Sequence, residues 1–272
     1  MRLMHTSSTF FAANAAGYEL QMGRWSRRLA VEFIDFVGIC DGERVLDVGC
    51  GTGSLARAVA MRTSMSQIHG IDLAAPYIEH AARTNRDPRV SFSVGDAYAL
   101  AFPDRAFDRV LSLLSLHFMP KPLEAVAEMR RVARSGAIVG AAVWDLRGGM
   151  IAGRLFFDTV AALDPNADAH RARHFTRPLT RPGELAMAWR TAGLTDVVET
   201  TLTIRMTYSG FDDYWSSYEG SDGPAAEYVS TLTPEKRTVL KDAIRRAYLD
   251  GEQDGPRSLV AVAWAVKGQV SA

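Results

Sequence analysis

The chain has 272 residues, 47% of them hydrophobic, and its 31 Lys and Arg are balanced by 31 Asp and Glu. A neutral chain with no basic block lacks the electrostatic footprint of a duplex nucleic-acid or anionic-membrane binder, and no apolar run approaches the roughly 18 residues that span a bilayer. Cys40 and Cys50 provide no disulfide framework and the first dozen positions carry no continuous apolar signal core, so a soluble cytoplasmic protein without membrane association is expected.

In chain order, Trp25, Leu29, Phe33 and Phe36 recur at helical spacing and predict an amphipathic helix over 21–36. Val45 to Val48 is a short apolar run that reads as a buried strand. It passes into a turn with glycines at 49, 51 and 53, and residues 54–60 then read as a helix. Strand, bare turn and helix N-terminus make a nucleotide-binding element, because glycines let the backbone approach a ligand closely and the first helical turn offers unpaired N–H groups. The dinucleotide fingerprint G-x-G-x-x-G would need its last glycine at 54, which is Ser54, so a nicotinamide cofactor is disfavoured.

A second strand, Ile68 to Leu73, carries Asp72 near its end, nineteen residues after Gly53. A helix over about 76–83, a strand and turn from Val90 to Ala97, and a strand from Phe107 to Leu113 follow. Pro120 opens a helix with Leu123, Val126 and Ala127 on one face, and Gly136 to Trp144 reads as the fifth strand. Beyond it, 146–178 holds a Gly148-Gly149 break, a helix over 151–163 and a basic stretch with His170 and His174. A helix over 182–192 leads to a strand from Asp196 to Tyr208. A second insertion, 209–256, opens on the aromatic run Phe211 to Tyr218 and closes with a helix capped by Thr233-Pro234, before a last strand from Ser258 to Val266. Alternating strands and helices predict an α/β fold, a Rossmann-like, doubly wound, mostly parallel seven-stranded sheet with helical cap or lid insertions and its ligand at the carboxyl ends of the strands. One domain over 1–272 is expected, with a core of about 38–145, 180–208 and 258–268 and an N-terminal helical segment over 1–36.

Leu46-Asp47-Val48-Gly49-Cys50-Gly51-Thr52-Gly53 resembles motif I of the class I S-adenosylmethionine (SAM)-dependent methyltransferases, in particular the small-molecule, ubiquinone- and menaquinone-biosynthesis-like "type 11" group, and the likeness continues through Trp144. The resemblance implies SAM as cofactor and S-adenosylhomocysteine as product. It implies that Asp47, Gly49, Cys50, Gly51 and Gly53 form the cofactor turn, that Asp72 with Leu73 takes the ribose hydroxyls, that Asp96 and Ala97 meet the adenine edge, and that Leu113 lines the cofactor near its sulfonium. The segment Tyr18 to Ser26 is also of a type found in many members; on it Tyr18 and Arg24 are expected over the methionine moiety, with Arg24 paired to its carboxylate.

The activity so implied is direct in-line transfer of a methyl group to a small-molecule acceptor held under a lid, with no nucleic-acid partner; a homodimer is left open. Transfer from a sulfonium needs positioning more than covalent help. If a general base serves, His117 after the fourth strand is the candidate catalytic residue, against the plainer reading that it shapes the wall; His174, Asp145, Asp213 and Tyr18 rank behind it. Tyr214, Trp215 and Tyr218 either line an acceptor pocket or pack the lid onto the core. His5, His69, His80, His117, His170 and His174 are scattered, so no metal is expected. A protein or RNA methyltransferase, and a SAM-binding sensor or partner subunit without transfer activity, are the alternative readings.

Overall fold

Val45, Leu46 and Val48 of β1 (Arg44–Val48) are fully buried, as a strand covered on both faces must be. The computed structural model describes residues 7–10, 12, 14–220 and 222–271; His5 and the first positions of the expected N-terminal segment lie outside them. Around β1 the chain builds one seven-stranded sheet in the order β3-β2-β1-β4-β5-β7-β6. Its strands are β2 (Gln67–Asp72), β3 (Val90–Val94), β4 (Phe107–Leu113), β5 (Ala133–Trp144), β6 (Leu194–Tyr208) and β7 (Arg257–Val270). The pairs among β1 to β5 are parallel, and β7 runs antiparallel to both its neighbours. This is the α/β, Rossmann-like arrangement. Strand order reverses beside β1, which opens a crevice at the carboxyl ends of β1 and β4, where ligands bind in such sheets.

Helices cover both faces. α1 (Ala15–Tyr18) continues through a π-helical turn, Glu19–Gly23, into α2 (Arg24–Val37). The expected amphipathic face is present, with Trp25, Leu29 and Phe33 buried, and the helix begins earlier than the apolar spacing indicates. α2 and α3 (Ser54–Arg62) pack on one face, α4 (Ala75–Thr84) against β2 and β3, and α5 (Pro122–Val132) with α8 (Glu184–Thr191) on the other face. The last two strands are longer than their β-rich runs suggest: β6 and β7 pair from Leu194–Val270 to Tyr208–Arg257, so ladder hydrogen bonding carries residues of weaker propensity with it.

The two insertions are helical. Between β5 and α8 lie α6 (Ile151–Leu163) and α7 (Asp168–Phe175); between β6 and β7 lie α9 (Phe211–Ser216), α10 (Pro224–Ser230) and α11 (Pro234–Leu249). They are bonded to each other. The hydroxyls of Tyr214 and Tyr218 donate to the Ala152 carbonyl at 2.8 and 3.2 Å, and that of Tyr228 donates to Asp164 at 3.3 Å. Phe211, Tyr214 and Trp215 are at most 1% exposed; Phe211 packs on Tyr248 of its own insertion, while Tyr214 and Tyr218 join it to the other. No helix among the described residues is long and apolar enough to cross a membrane.

Candidate functional site

At the crevice the backbone does what the glycine spacing requires. Gly49, Gly51 and Gly53 all have positive φ, at 72°, 54° and 89°. The amides of Gly49 and Cys50 both donate to the Ile71 carbonyl at 2.8 Å, and the Gly51 amide donates to Asp72 Oδ2 at 2.9 Å, so the end of β2 holds the turn that follows β1. A Cβ on Gly49 would run into the Ser115 side chain, which is itself tied down by donating to the Val48 carbonyl at 3.2 Å. At Gly51 a Cβ would point into a slot whose far wall is the Tyr18 ring, 3.8–3.9 Å away.

That slot belongs to a cleft of about 660 Å³, within the usual range for small-molecule sites. Of the residues singled out from the sequence, Tyr18, Gly49, Gly51, Asp72, Leu73, Asp96, Ala97 and Leu113 line it. Asp72 at the end of β2 accepts from Gly51 and, through Oδ1, from the Ala74 amide at 2.8 Å; burial pushes its carboxyl up against the pull of these bonds. Asp96, after β3, accepts from the Tyr98 amide at 2.9 Å and from the Ser7 hydroxyl at 2.6 Å. Tyr18 is pushed up to about 12 by burial and sits 5.2 Å, ring to ring, from Tyr77.

Five expected residues lie elsewhere. Asp47 stands behind the glycine turn: it is 1% exposed, and its Oδ2 accepts the Ala56 amide in the first turn of α3 at 3.1 Å. Burial, opposed by that hydrogen bond and reinforced by Asp72, raises its pKa to about 7. Cys50 is buried with its thiol against the Gly51 carbonyl, and Gly53 is the left-handed residue before α3. Arg24 does not reach the cleft; it pairs with Asp213 at 2.9 Å and stacks over Trp25 and Tyr208. His117 sits in the 3₁₀ turn Leu116–Phe118, 2% exposed, its ring 4.2 Å from Phe118 and outside the cleft wall. Burial, then Arg177 and His174, hold it well below the usual histidine range, which makes it a poor proton acceptor as well as a misplaced one.

Other residues complete the cleft. Ser7, Thr9 and Phe10 cross it as a strap, with the Thr9 amide donating to the Phe118 carbonyl at 2.8 Å and the Phe10 ring 4.7 Å from that of Phe118. Behind the strap, Asp222 from the second insertion accepts the Asn14 amide at 3.0–3.1 Å and the Tyr77 hydroxyl at 3.1 Å. The π-helical turn, a geometry frequent at functional sites, brings Glu19 to the Thr52 hydroxyl at 2.5 Å. A smaller cavity of about 60 Å³ lies between the insertions and α2, lined in part by Trp25, Phe157, His174, Tyr208, Ser217 and Tyr218.

Residues 45–136 match the family model described as a methyltransferase domain. The chain is 34% identical over 149 residues to a probable chloroplastic tocopherol O-methyltransferase of Oryza sativa subsp. japonica, covering 52% of this chain and 41% of that protein. It is 38% identical over 116 residues to a demethylmenaquinone methyltransferase of Renibacterium salmoninarum, covering 43% and 46% respectively. The chain thus spans about half or less of the length of these two relatives. Among solved structures, the YcgJ protein of Bacillus subtilis has a similar fold, with a TM-score of 0.58, 18% identity and coverage of 92% of this chain and 99% of that one. A Haemonchus contortus phosphoethanolamine N-methyltransferase 2, solved with S-adenosyl-L-methionine, gives a TM-score of 0.59 at 14% identity, covering 94% and 57%. Sheet order, glycine turn and strand-end acids agree with the match of residues 45–136 to a methyltransferase domain.

Proposed function

We propose that this protein transfers a methyl group from SAM to a small organic acceptor. The observation that carries the reading is the convergence of the Gly49–Gly51 turn, Asp72 and Asp96 on one cleft of about 660 Å³. The residues fit the cofactor on geometry. At Gly51 a side chain would fill the slot under Tyr18, so the slot is kept open for a ligand. Gly49 and Gly51 would bring main chain against it, Asp72 with Leu73 would take the ribose hydroxyls, and Asp96 with Ala97 would meet the adenine edge. Leu113 and Tyr18 would form apolar walls. A carboxylate that accepts hydrogen bonds from a ligand contributes about 1.5–3 kcal/mol per bond.

When bound, SAM supplies a methyl carbon activated by its sulfonium. What this chain adds is orientation and exclusion of water. Ordering two reactants can lower a barrier by roughly 7–11 kcal/mol, and the strap of Ser7, Thr9 and Phe10 screens the cleft from solvent. No proton transfer is assigned to His117. The acceptors in the relatives' names, a tocopherol and a demethylmenaquinone, are small molecules and support the same class here over a polymer substrate or a transfer-inactive sensor. Cys40 and Cys50 are unpaired, which supports a reducing compartment such as the cytoplasm.

Titration calorimetry with SAM and with S-adenosylhomocysteine tests the reading: saturable heat is expected with both. Transfer of label from methyl-tritiated SAM into an organic extract of candidate acceptors then tests the reaction. Absence of heat with either ligand overturns the proposal.

A further inference from the structure

Three basic side chains from two distant parts of the sequence lie within electrostatic reach of one another beside the cleft, and among the described residues none of them is ion-paired to an acid. His117 comes from the 3₁₀ turn after β4, His174 from the last turn of α7, and Arg177 from just beyond α7. His117 Nδ1, His174 Nδ1 and Arg177 Nε are all buried without a hydrogen-bond partner. Each such atom has lost its water without gaining a partner, which is unfavourable. The groups also oppose one another: burial and then Arg177 push His174 down to about 3, and burial followed by Arg173 brings Arg177 down to about 10.

Packing alone explains part of this cluster. His174 stacks on Phe157 at 4.2 Å and Arg177 lies 4.3 Å over the Phe118 ring. Apolar side chains would make the same contacts without stranding three polar atoms. Arg109 pairs with Glu43, Arg131 with Glu128, and Arg24 with Asp213, whereas Arg57 is satisfied by the Ala81 carbonyl and the Thr84 hydroxyl. Among the described residues Arg177 forms no ion pair; it donates to the Thr9 hydroxyl at 3.0 Å, and Glu227 acts on it only across space.

The position of the cluster indicates what would satisfy it. Phe118 and Thr9, against which Arg177 lies, belong to the wall of the main cleft, whereas His174 borders the small cavity lined by Trp25, Phe157, Tyr208 and Tyr218. The cluster therefore stands between the cofactor cleft and an aromatic-walled recess. We infer that His117, His174 and Arg177 form an anion-binding subsite that holds the carboxylate of an apolar organic acid, so that the acceptor is an acid with an aromatic or aliphatic body. The inference rests on the methyltransferase reading for the word acceptor, and on the geometry alone for the anion. Carboxylate oxygens would satisfy the stranded donors, and the guanidinium suits a planar, two-oxygen partner.

The test uses the full chain saturated with S-adenosylhomocysteine and compares phenylacetate with its neutral isostere phenylacetamide by calorimetry. Phenylacetate is expected to bind at least about tenfold more tightly, the smaller end of the effect of hydrogen bonds to charged groups. Arg177→Met should bring the acid down to the level of the amide while S-adenosylhomocysteine binding stays within about twofold, and Arg177→Lys should retain part of the preference. Should Arg177→Met fail to fold, His174→Phe, which keeps the stack on Phe157, carries the same expectation. Equal affinity for acid and amide, no saturable binding of phenylacetate at millimolar concentration, or a preference unchanged in the variants overturns the subsite. Repeating both titrations without nucleoside separates the two proposals: an acid preference that persists although S-adenosylhomocysteine gives no heat counts against the function alone, and S-adenosylhomocysteine heat with no acid preference counts against the subsite alone.

Discussion

Asp72 Oδ2 accepts the amide of Gly51 at 2.9 Å, so one carboxylate both fixes the glycine turn and faces the cleft. Asp72→Ala should therefore weaken SAM by roughly ten- to a hundredfold, from about 1.5–3 kcal/mol of charge-assisted hydrogen bonding, and should also loosen the turn. Asp72→Asn, which can still accept from Gly51, should lose less. Calorimetric dissociation constants for the two variants check this, and parent-like affinity in Asp72→Ala would deny the carboxylate its ligand role.

Gly49→Ala combines two penalties. Its φ of 72° costs an L side chain roughly 1–2 kcal/mol, and the new methyl meets Ser115, which is held against Val48. A melting temperature lower by several degrees and a loss of S-adenosylhomocysteine affinity are expected together. Thermal scans with and without the ligand read both; an unchanged ligand-induced shift would place the turn outside the site.

The strap is tied from behind. Asp222 is fully buried and accepts from Asn14 and Tyr77, so Asp222→Ala frees Asn14 and leaves the buried Tyr77 hydroxyl unmatched at about 1–3 kcal/mol. Faster S-adenosylhomocysteine release and earlier proteolytic cutting within the first 20 or so residues are expected. Stopped-flow release rates that match the parent chain would show that the strap does not gate the cleft.

Asp47 gives stability a pH dependence of known sign. Its carboxyl holds its proton up to about 7 in the folded chain, against 3.8 for the free side chain. Between those values the folded state binds more protons than the unfolded one, so this residue's share of stability is present at low pH and is lost as pH rises through the window. Asp47→Asn, a mimic of the protonated acid, should flatten the fall in melting temperature across that range. Parallel melting curves over a pH series measure the difference, and a wild-type slope retained in Asp47→Asn would contradict the raised value.

The part of the site that could be read in advance is the part the chain builds from neighbours in sequence. Val45 to Val48 announces a buried strand, the glycines at 49, 51 and 53 take up positive φ within five residues, and Asp72 ends the next strand beside them. Arg24 and His117 could not be read this way. Arg24 is turned by Asp213 of one insertion, and His117 is buried within electrostatic reach of Arg177 and His174 of the other; no local pattern encodes those meetings. Ser7, Thr9 and Phe10 escaped for a related reason. They form a short irregular segment whose place is fixed by Asp96 and the Phe118 carbonyl, about a hundred residues further on.

Cys50, inside the glycine turn, is sealed off by burial, and burial together with Asp47 and Asp72 lifts its thiol well above the ordinary value. Thiolate is the form that reacts with electrophiles, so a maleimide dye should mark Cys40, which is exposed at the opposite end of β1. The native chain thus comes with a single addressable handle remote from its ligand turn, suited to surface attachment or fluorescence work without first removing a cysteine.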